Sequence, residues 1–295
     1  MKLIVNGIAL EVEDTGGTGT PVLLIMGLGM QLIAWPLALV HSLVAAGYRV
    51  IRFDNRDIGL SQHFDHLGTP NLLFTALKHR LGFNITAPYT LHDMAADALG
   101  VLDALNIPRA HIVGASMGGM IAQRVALAAP LRTISLTSIM STSGAAGLPQ
   151  AQPSVVRALM SRPSGKDRAA VLTHYEKLFR IIGSPGFSQD PAEIRARINA
   201  GIERSYHPAG TVRQMVAIAA DTTRAEQLRS LRCPTLVLHG RADPLVPYAC
   251  GQDTAKRIQG AQMAGIDGMG HDLAPGVVDA LLPHMQSFFT VHNPA

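Results

Sequence analysis

The chain has 295 residues, of which 47% are hydrophobic and 16% charged: ample apolar material for a large packed core, and too little charge for a disordered chain. Its formal charge of +4 is scattered, with no Lys/Arg run and no basic patch interleaved with aromatics, so a nucleic-acid role has no support. Cys233 and Cys250 are too few for a disulfide framework and are not spaced as a zinc site, and no apolar stretch is long enough to span a bilayer; free thiols in a reducing cytoplasm are expected, with no metal and no membrane.

The N-terminus reads as a hairpin, residues 3–5 and 8–12 around Asn6-Gly7, and the turn comes too soon for a signal peptide. Residues 21–26 form a continuous apolar run that fits a buried strand, followed by Gly27-Leu28-Gly29-Met30. A helix over 35–46 is stopped by Gly47, and 48–54 is a second buried strand running into the polar loop 54–61, which reads as structural. Residues 90–105 predict an amphipathic helix, with Thr90 and Asp93 at capping-box positions and Met94, Ala98, Val101 and Leu105 on one face. A strand before Ser116, a helix after it ended by Pro130, and a strand over 133–140 complete an alternation that implies a mostly parallel sheet with helices on both faces.

The pattern changes at about residue 144. Up to about 225 the sequence shows helices, at 155–160, 166–182, 192–206 and 212–220, punctuated by prolines and without a convincing strand. Alternation resumes with a strand at 234–240, a helix at 249–258 and a short strand at 262–265. A last helix carries Val278, Leu281, Met285 and Phe289, with Pro283 able to kink it. The expected organisation is an α/β core of residues 1–143 and 226–295 with a helical insertion, 144–225.

The chemistry centres on Gly114-Ala115-Ser116-Met117-Gly118. Strand, sharp turn and helix are the context in which a G-x-S-x-G motif has meaning: the turn strains the serine and pushes its hydroxyl out at the carboxyl end of a strand. A serine in such a turn could otherwise be a mere N-cap. A hydroxyl is a poor nucleophile and needs a base, an orienting carboxylate and donors for the oxyanion. His271, in Gly268-Met269-Gly270-His271-Asp272, follows the last strand. Asp243 follows the 234–240 strand. Asp267 and Asp272 compete as orienter, but neither follows a buried strand at the right place.

Together these residues resemble a serine hydrolase of the α/β-hydrolase fold with an inserted helical cap. The resemblance rests on the Ser116 motif, Arg241-Ala242-Asp243-Pro244-Leu245-Val246-Pro247, Gly270-His271 and the 54–61 loop. More narrowly, the chain is similar to bacterial esterases of the aclacinomycin methylesterase type. The resemblance implies Ser116 as nucleophile, His271 as base, Asp243 as orienter and the backbone amides of Leu28 and Met117 as oxyanion hole. Two departures stand out: Met26-Gly27 where many members have His-Gly, and Arg56-Asp57 where Arg-Gly is usual. The first leaves the main-chain donor intact.

Methionines cluster near these positions. Met26, Met30 and Met269 are expected as apolar pocket lining, with Trp35 either lining the pocket or anchoring its helix. The expected partner is a small uncharged, mainly apolar carboxylic ester, with no cofactor. Dinucleotide binding fails because Leu32 stands where the Gly27-Leu28-Gly29 fingerprint needs its third glycine. C–C bond hydrolysis or perhydrolysis on the same triad, or a non-catalytic ligand receptor, are the alternatives.

Overall fold

The computed structural model describes residues 1–81 and 83–293. Its frame is an eight-stranded sheet. Strands β1 (Lys2–Val5) and β2 (Ile8–Asp14) form the hairpin, and β3 (Pro21–Ile25) is the first of the buried strands. Pro36 delays the next helix, which begins at Leu37 after a 3-10 turn rather than at residue 35, giving α1 (Leu37–Ala45). Then come β4 (Arg49–Phe53), α2 (Leu72–Arg80), α3 (Leu91–Ala104), β5 (Ala110–Ala115), α4 (Met117–Ala128) and β6 (Thr133–Ile139). Thr90 and Asp93 form the predicted reciprocal cap of α3.

Between β6 and the next strand the chain is helical: α5 (Pro153–Met160), α6 (Arg168–Ile182), α7 (Pro191–Arg204), α8 (Pro208–Ala220) and the short α9 (Arg224–Gln227). Asp167 and Asp190 cap α6 and α7 through side-chain bonds to the amides of Ala170 and Ala192, and prolines open α5, α7 and α8. The core resumes with β7 (Thr235–Gly240), α10 (Tyr248–Arg257), β8 (Gln262–Ile266) and α11 (Pro275–His292), which continues past Pro283.

The strand order is β1-β2-β4-β3-β5-β6-β7-β8, antiparallel at the β1–β2 and β2–β4 pairs and parallel from β4 to β8. The order reverses at β3, whose neighbours are β4 and β5. That is a topological switch point, where the loops leaving β3 and β5 diverge and leave a crevice at the carboxyl edge. Side chains alternate across the sheet: Leu23, Ile25 and Ile112 pack on one face with α3 and α4, while Val22, Leu24 and Val113 pack on the other with α1 and α11.

The helix α2 is the element that the sequence pattern does not announce. Leu73, Phe74 and Leu77 lie exposed instead of forming a stripe against the core, so no amphipathic period marks it.

Polar groups are also built into the interior. Arg124 of α4 and Arg224 of α9 share one carboxylate, Asp221, and all three are buried or nearly so. Burial and the neighbouring Arg124 push Arg224 down to about 9. In β5, His111 is fully buried, stacked on Phe289, with Nδ1 2.7 Å from Ser135 Oγ. Burial pushes its pKa down to about 4. Above the ordinary histidine pKa of about 6.5 both folded and unfolded states hold this ring neutral. As the pH falls toward 4, only the unfolded state takes the proton, so stability is lost across that window. The loss is on the order of 3 kcal/mol. Denaturant midpoints between pH 7 and 4 should show a shallower decline in His111→Val than in the native chain. Equal slopes would exclude His111 as the source.

Candidate active site

Ser116 sits at the sharp turn between β5 and α4 with φ 56° and ψ −121°, a conformation that strains any non-glycine residue. The turn is tight because β5 and α4 nearly touch. A Cβ on Gly114 would collide with the backbone of Gly118, and one on Gly118 with the carbonyl of Ile25. The Ser116 amide donates to Ile139 O (2.9 Å) and its carbonyl accepts from Ser141 Oγ (2.7 Å), which holds the strained residue in place.

The loops after β7 and β8 bring the other two groups to the same edge. His271 Nε2 lies 2.9 Å from Ser116 Oγ, and His271 Nδ1 lies 2.7 Å from Asp243 Oδ2. The carboxylate's other oxygen, Oδ1, accepts from the amides of Leu245 (2.9 Å) and Val246 (2.8 Å). That pattern puts the proton on Nδ1 and leaves Nε2 as acceptor for the serine hydroxyl. Burial alone would raise the Asp243 carboxyl. The facing His271, the His239 ring 3.6 Å away, and hydrogen bonds from His271 and the Val246 amide overcome it, and hold the group well below the usual carboxylate range. It is therefore an anion at neutral pH, and the stability it contributes is lost progressively as the pH falls below the ordinary carboxylate pKa of about 4. Asp243 and His271 are buried and Ser116 half-buried, so the hydroxyl keeps access to a ligand.

The competing carboxylates go elsewhere. Asp272 accepts from Gln189 Nε2 (2.6 Å) and from the Ser184 hydroxyl and amide, while Asp267 pairs with Arg241 at the surface. Ser184 also accepts from the Gly270 amide (2.8 Å), and the His271 amide donates to Ile182 O (2.7 Å). The connector between α6 and α7 thus grips the loop that carries His271.

The segment Met26–Met30 leaves β3 beside the serine. A Cβ at Gly27 would come within 3.1 Å of Ser116 Cβ, so the turn packs directly on the residue. Among the described residues, neither the Leu28 nor the Met117 amide donates to a protein acceptor, whereas the Gly29 amide donates to Gln214 Oε1 (3.0 Å). Two free main-chain donors beside a serine hydroxyl can stabilise a developing oxyanion. Met26 is nearly buried and Met30 half-buried. Trp35 and Met269 have no accessible surface and pack in the core cluster with Leu39 and Leu273. In this structure neither presents surface to a ligand, and for Trp35 the packing is that of an anchor.

The 54–61 loop is a scaffold of buried ion pairs. Arg56 pairs with Asp97 (2.6 and 2.8 Å), and Asp57 forks onto Arg213 of α8 (2.7 Å twice). Asp54 takes the Leu32 amide and Arg204 of α7, and Asn55 Nδ2 donates to Met26 O (2.8 Å). His63, Asp65 and His207 also converge, with the two rings stacked 3.8 Å apart. Arg213 Nη2 already meets both Asp65 Oδ1 (3.1 Å) and His207 Nε2 (3.0 Å), so a metal there would face a fixed guanidinium charge. Sequence reasoning missed Arg213 and Gln214. The signal available was a polar pair inside an otherwise apolar helix, Val212-Arg213-Gln214-Met215-Val216.

A mostly parallel sheet with a serine on the strand–helix turn, and histidine and aspartate on later loops, is the architecture of a hydrolase. Residues 22–280 match the alpha/beta hydrolase family, and the chain belongs to it. Among individual proteins, it is 31% identical over 284 residues to the rhodomycin D methylesterase DauP of Streptomyces sp. strain C5, covering 88% of each chain. It is 30% identical to DnrP of Streptomyces peucetius, of the same name, with the same coverage. Among solved structures it resembles the meta-cleavage product hydrolase CumD of Pseudomonas fluorescens IP01, with a TM-score of 0.74 at 21% identity over 99% of this chain and 98% of that one.

Proposed function

We propose that this chain is a serine esterase that cleaves uncharged, mainly apolar carboxylic esters through an acyl-enzyme. The observation that carries the reading is the continuous Ser116–His271–Asp243 hydrogen-bond chain at the carboxyl edge of the sheet. Ser116 Oγ attacks the ester carbonyl while His271 Nε2 takes its proton, and the amides of Leu28 and Met117 hold the oxyanion. The imidazolium, stabilised by Asp243, returns the proton to the departing alcohol. Water, deprotonated by His271, then releases the carboxylic acid and restores Ser116. Each step uses groups of the chain itself and calls for no cofactor.

Ester cleavage is favoured over other hydrolyses by the two methylesterase relatives, which align over most of both chains. The second reading is C–C bond hydrolysis on the same triad. Its support is a 28% identical relative over 265 residues, named a 2-hydroxy-6-oxononadienedioate/2-hydroxy-6-oxononatrienedioate hydrolase in Cupriavidus pinatubonensis. A screen of simple esters against a vinylogous diketone separates the two.

The helical segment 144–225 acts in this reading as a cap that roofs the acyl pocket, with Met26, Leu28 and Met30 supplying apolar side chains beside the oxyanion site, whereas the Met117 side chain has no accessible surface and packs in the core. Each methylene buried there contributes about 0.8 kcal/mol until the roof is reached. With p-nitrophenyl esters, kcat/KM should rise with acyl length and then drop. A flat profile, or a preference for charged acyl groups, would contradict a closed apolar pocket.

A further inference from the structure

We propose that Gln214, on helix α8 of the inserted segment, is the positioning residue of the oxyanion turn. The inference rests on the esterase reading above and deepens it, by tying the turn that offers the Leu28 amide to a helix outside the sheet. Gln214 is fully buried. Its Oε1 accepts from the Gly29 amide at 3.0 Å, and its Nε2 donates to Arg56 O at 3.0 Å. One side-chain amide therefore bridges two loops, the Met26–Met30 turn and the loop after β4.

The turn needs such a hold. Its residues belong to neither strand nor helix, and Gly29 takes φ 68°, which leaves the backbone free to adopt other conformations. Its internal bond is the Met30 amide to Gly27 O at 3.2 Å. Asn55 fixes the entry through Met26 O, and Gln31 fixes the exit through Gly201 O (2.7 Å) and Ser205 O (2.8 Å). Between them, the peptide that follows Leu28 is held by Gln214. The same helix closes over it: a Cβ on Gly29 would lie 2.9 Å from Thr211 Oγ1, one turn before Gln214. Arg213, next to Gln214, locks α8 to Asp57. A methionine at 214 would fill the same space but take the partners from the half-buried Gly29 amide and the buried Arg56 carbonyl, leaving the turn free to rotate the adjoining Leu28 amide off the oxyanion.

An oxyanion donor acts in the transition state, so its misplacement lowers kcat and spares KM. Gln214→Met is expected to lower kcat on a p-nitrophenyl ester by about 10- to 100-fold with KM within about twofold. The inhibition constant of phenylboronic acid should rise in step, because Ser116 Oγ adds to boron, its proton passes to His271, and a boron-bound oxygen enters the same hole. Gln214→Glu keeps an acceptor for the Gly29 amide and should fall between the native chain and Gln214→Met. Leu102→Val, a core truncation in α3 remote from the site, serves as the stability control. Gln214→Met losing no more kcat than Leu102→Val at a comparable Tm, or raising KM alone, would overturn the proposal. Should Gln214→Met fail to fold, Gln214→Glu decides: kcat below the control supports the role, kcat equal to it overturns it. Ser116→Ala run alongside separates the two layers. Turnover lost there with Gln214 variants unaffected removes the positioning role alone, whereas turnover surviving Ser116→Ala removes the esterase reading and this inference with it.

Discussion

Ser116→Ala should lower ester turnover by about five to six orders of magnitude, leaving the melting temperature close to that of the native chain. The acyl-enzyme cannot form without Oγ, and water cannot take its place in the 2.9 Å contact to His271 Nε2 without losing the enforced approach to the carbonyl. The fold should survive because the elbow is held by main-chain bonds and by Ser141, none of which uses the Ser116 hydroxyl. Some oxyanion stabilisation would persist, so the residual rate should exceed that in water. A variant that kept more than about a hundredth of native kcat would remove Ser116 from the mechanism.

Asp243→Asn is expected to cost about four orders of magnitude in kcat. The geometry dictates how. The Oδ1 position accepts from two amides, Leu245 and Val246, so an asparagine must keep its oxygen there. Its NH2 then faces His271 at the Oδ2 position and donates to Nδ1. The imidazole proton moves to Nε2, which can no longer accept from Ser116. Asp272→Asn is the informative contrast, since Asp272 bonds Ser184 and Gln189 and does not touch the imidazole. Its loss should stay within about tenfold, through loosening of the histidine loop. If Asp272→Asn proved the more damaging change, the orienting carboxylate would be misassigned.

What could be read from the sequence was what is local in the chain. The elbow at Ser116 is written in Gly114 and Gly118, because their missing side chains are what let β5 and α4 touch. The Thr90–Asp93 cap lies within one turn. Asp243 and His271 could be chosen because each follows a strand, and parallel strands deliver their following loops to one edge. Interactions between distant segments were not legible. Gln214 and Gly29 are 185 residues apart, and Arg213 and Asp57 are 156 apart, so no spacing rule joins them. Trp35 and Met269 show a related limit: nearness in sequence to a site loop does not decide whether a side chain faces the pocket or the core. Helix α2 escaped because its apolar residues face outward.

The central claim is that Ser116 is the nucleophile that carries the acyl group. The most direct measurement is covalent labelling with an aryl phosphonate such as a p-nitrophenyl alkylphosphonate, followed by peptide mapping. Ser116 Oγ should displace p-nitrophenolate at phosphorus, its proton taken by His271, leaving one phosphonyl group on the peptide containing Gly114-Ala115-Ser116-Met117-Gly118 and loss of esterase activity in proportion to labelling. Labelling at another residue, or full ester turnover in protein phosphonylated at Ser116, would contradict it.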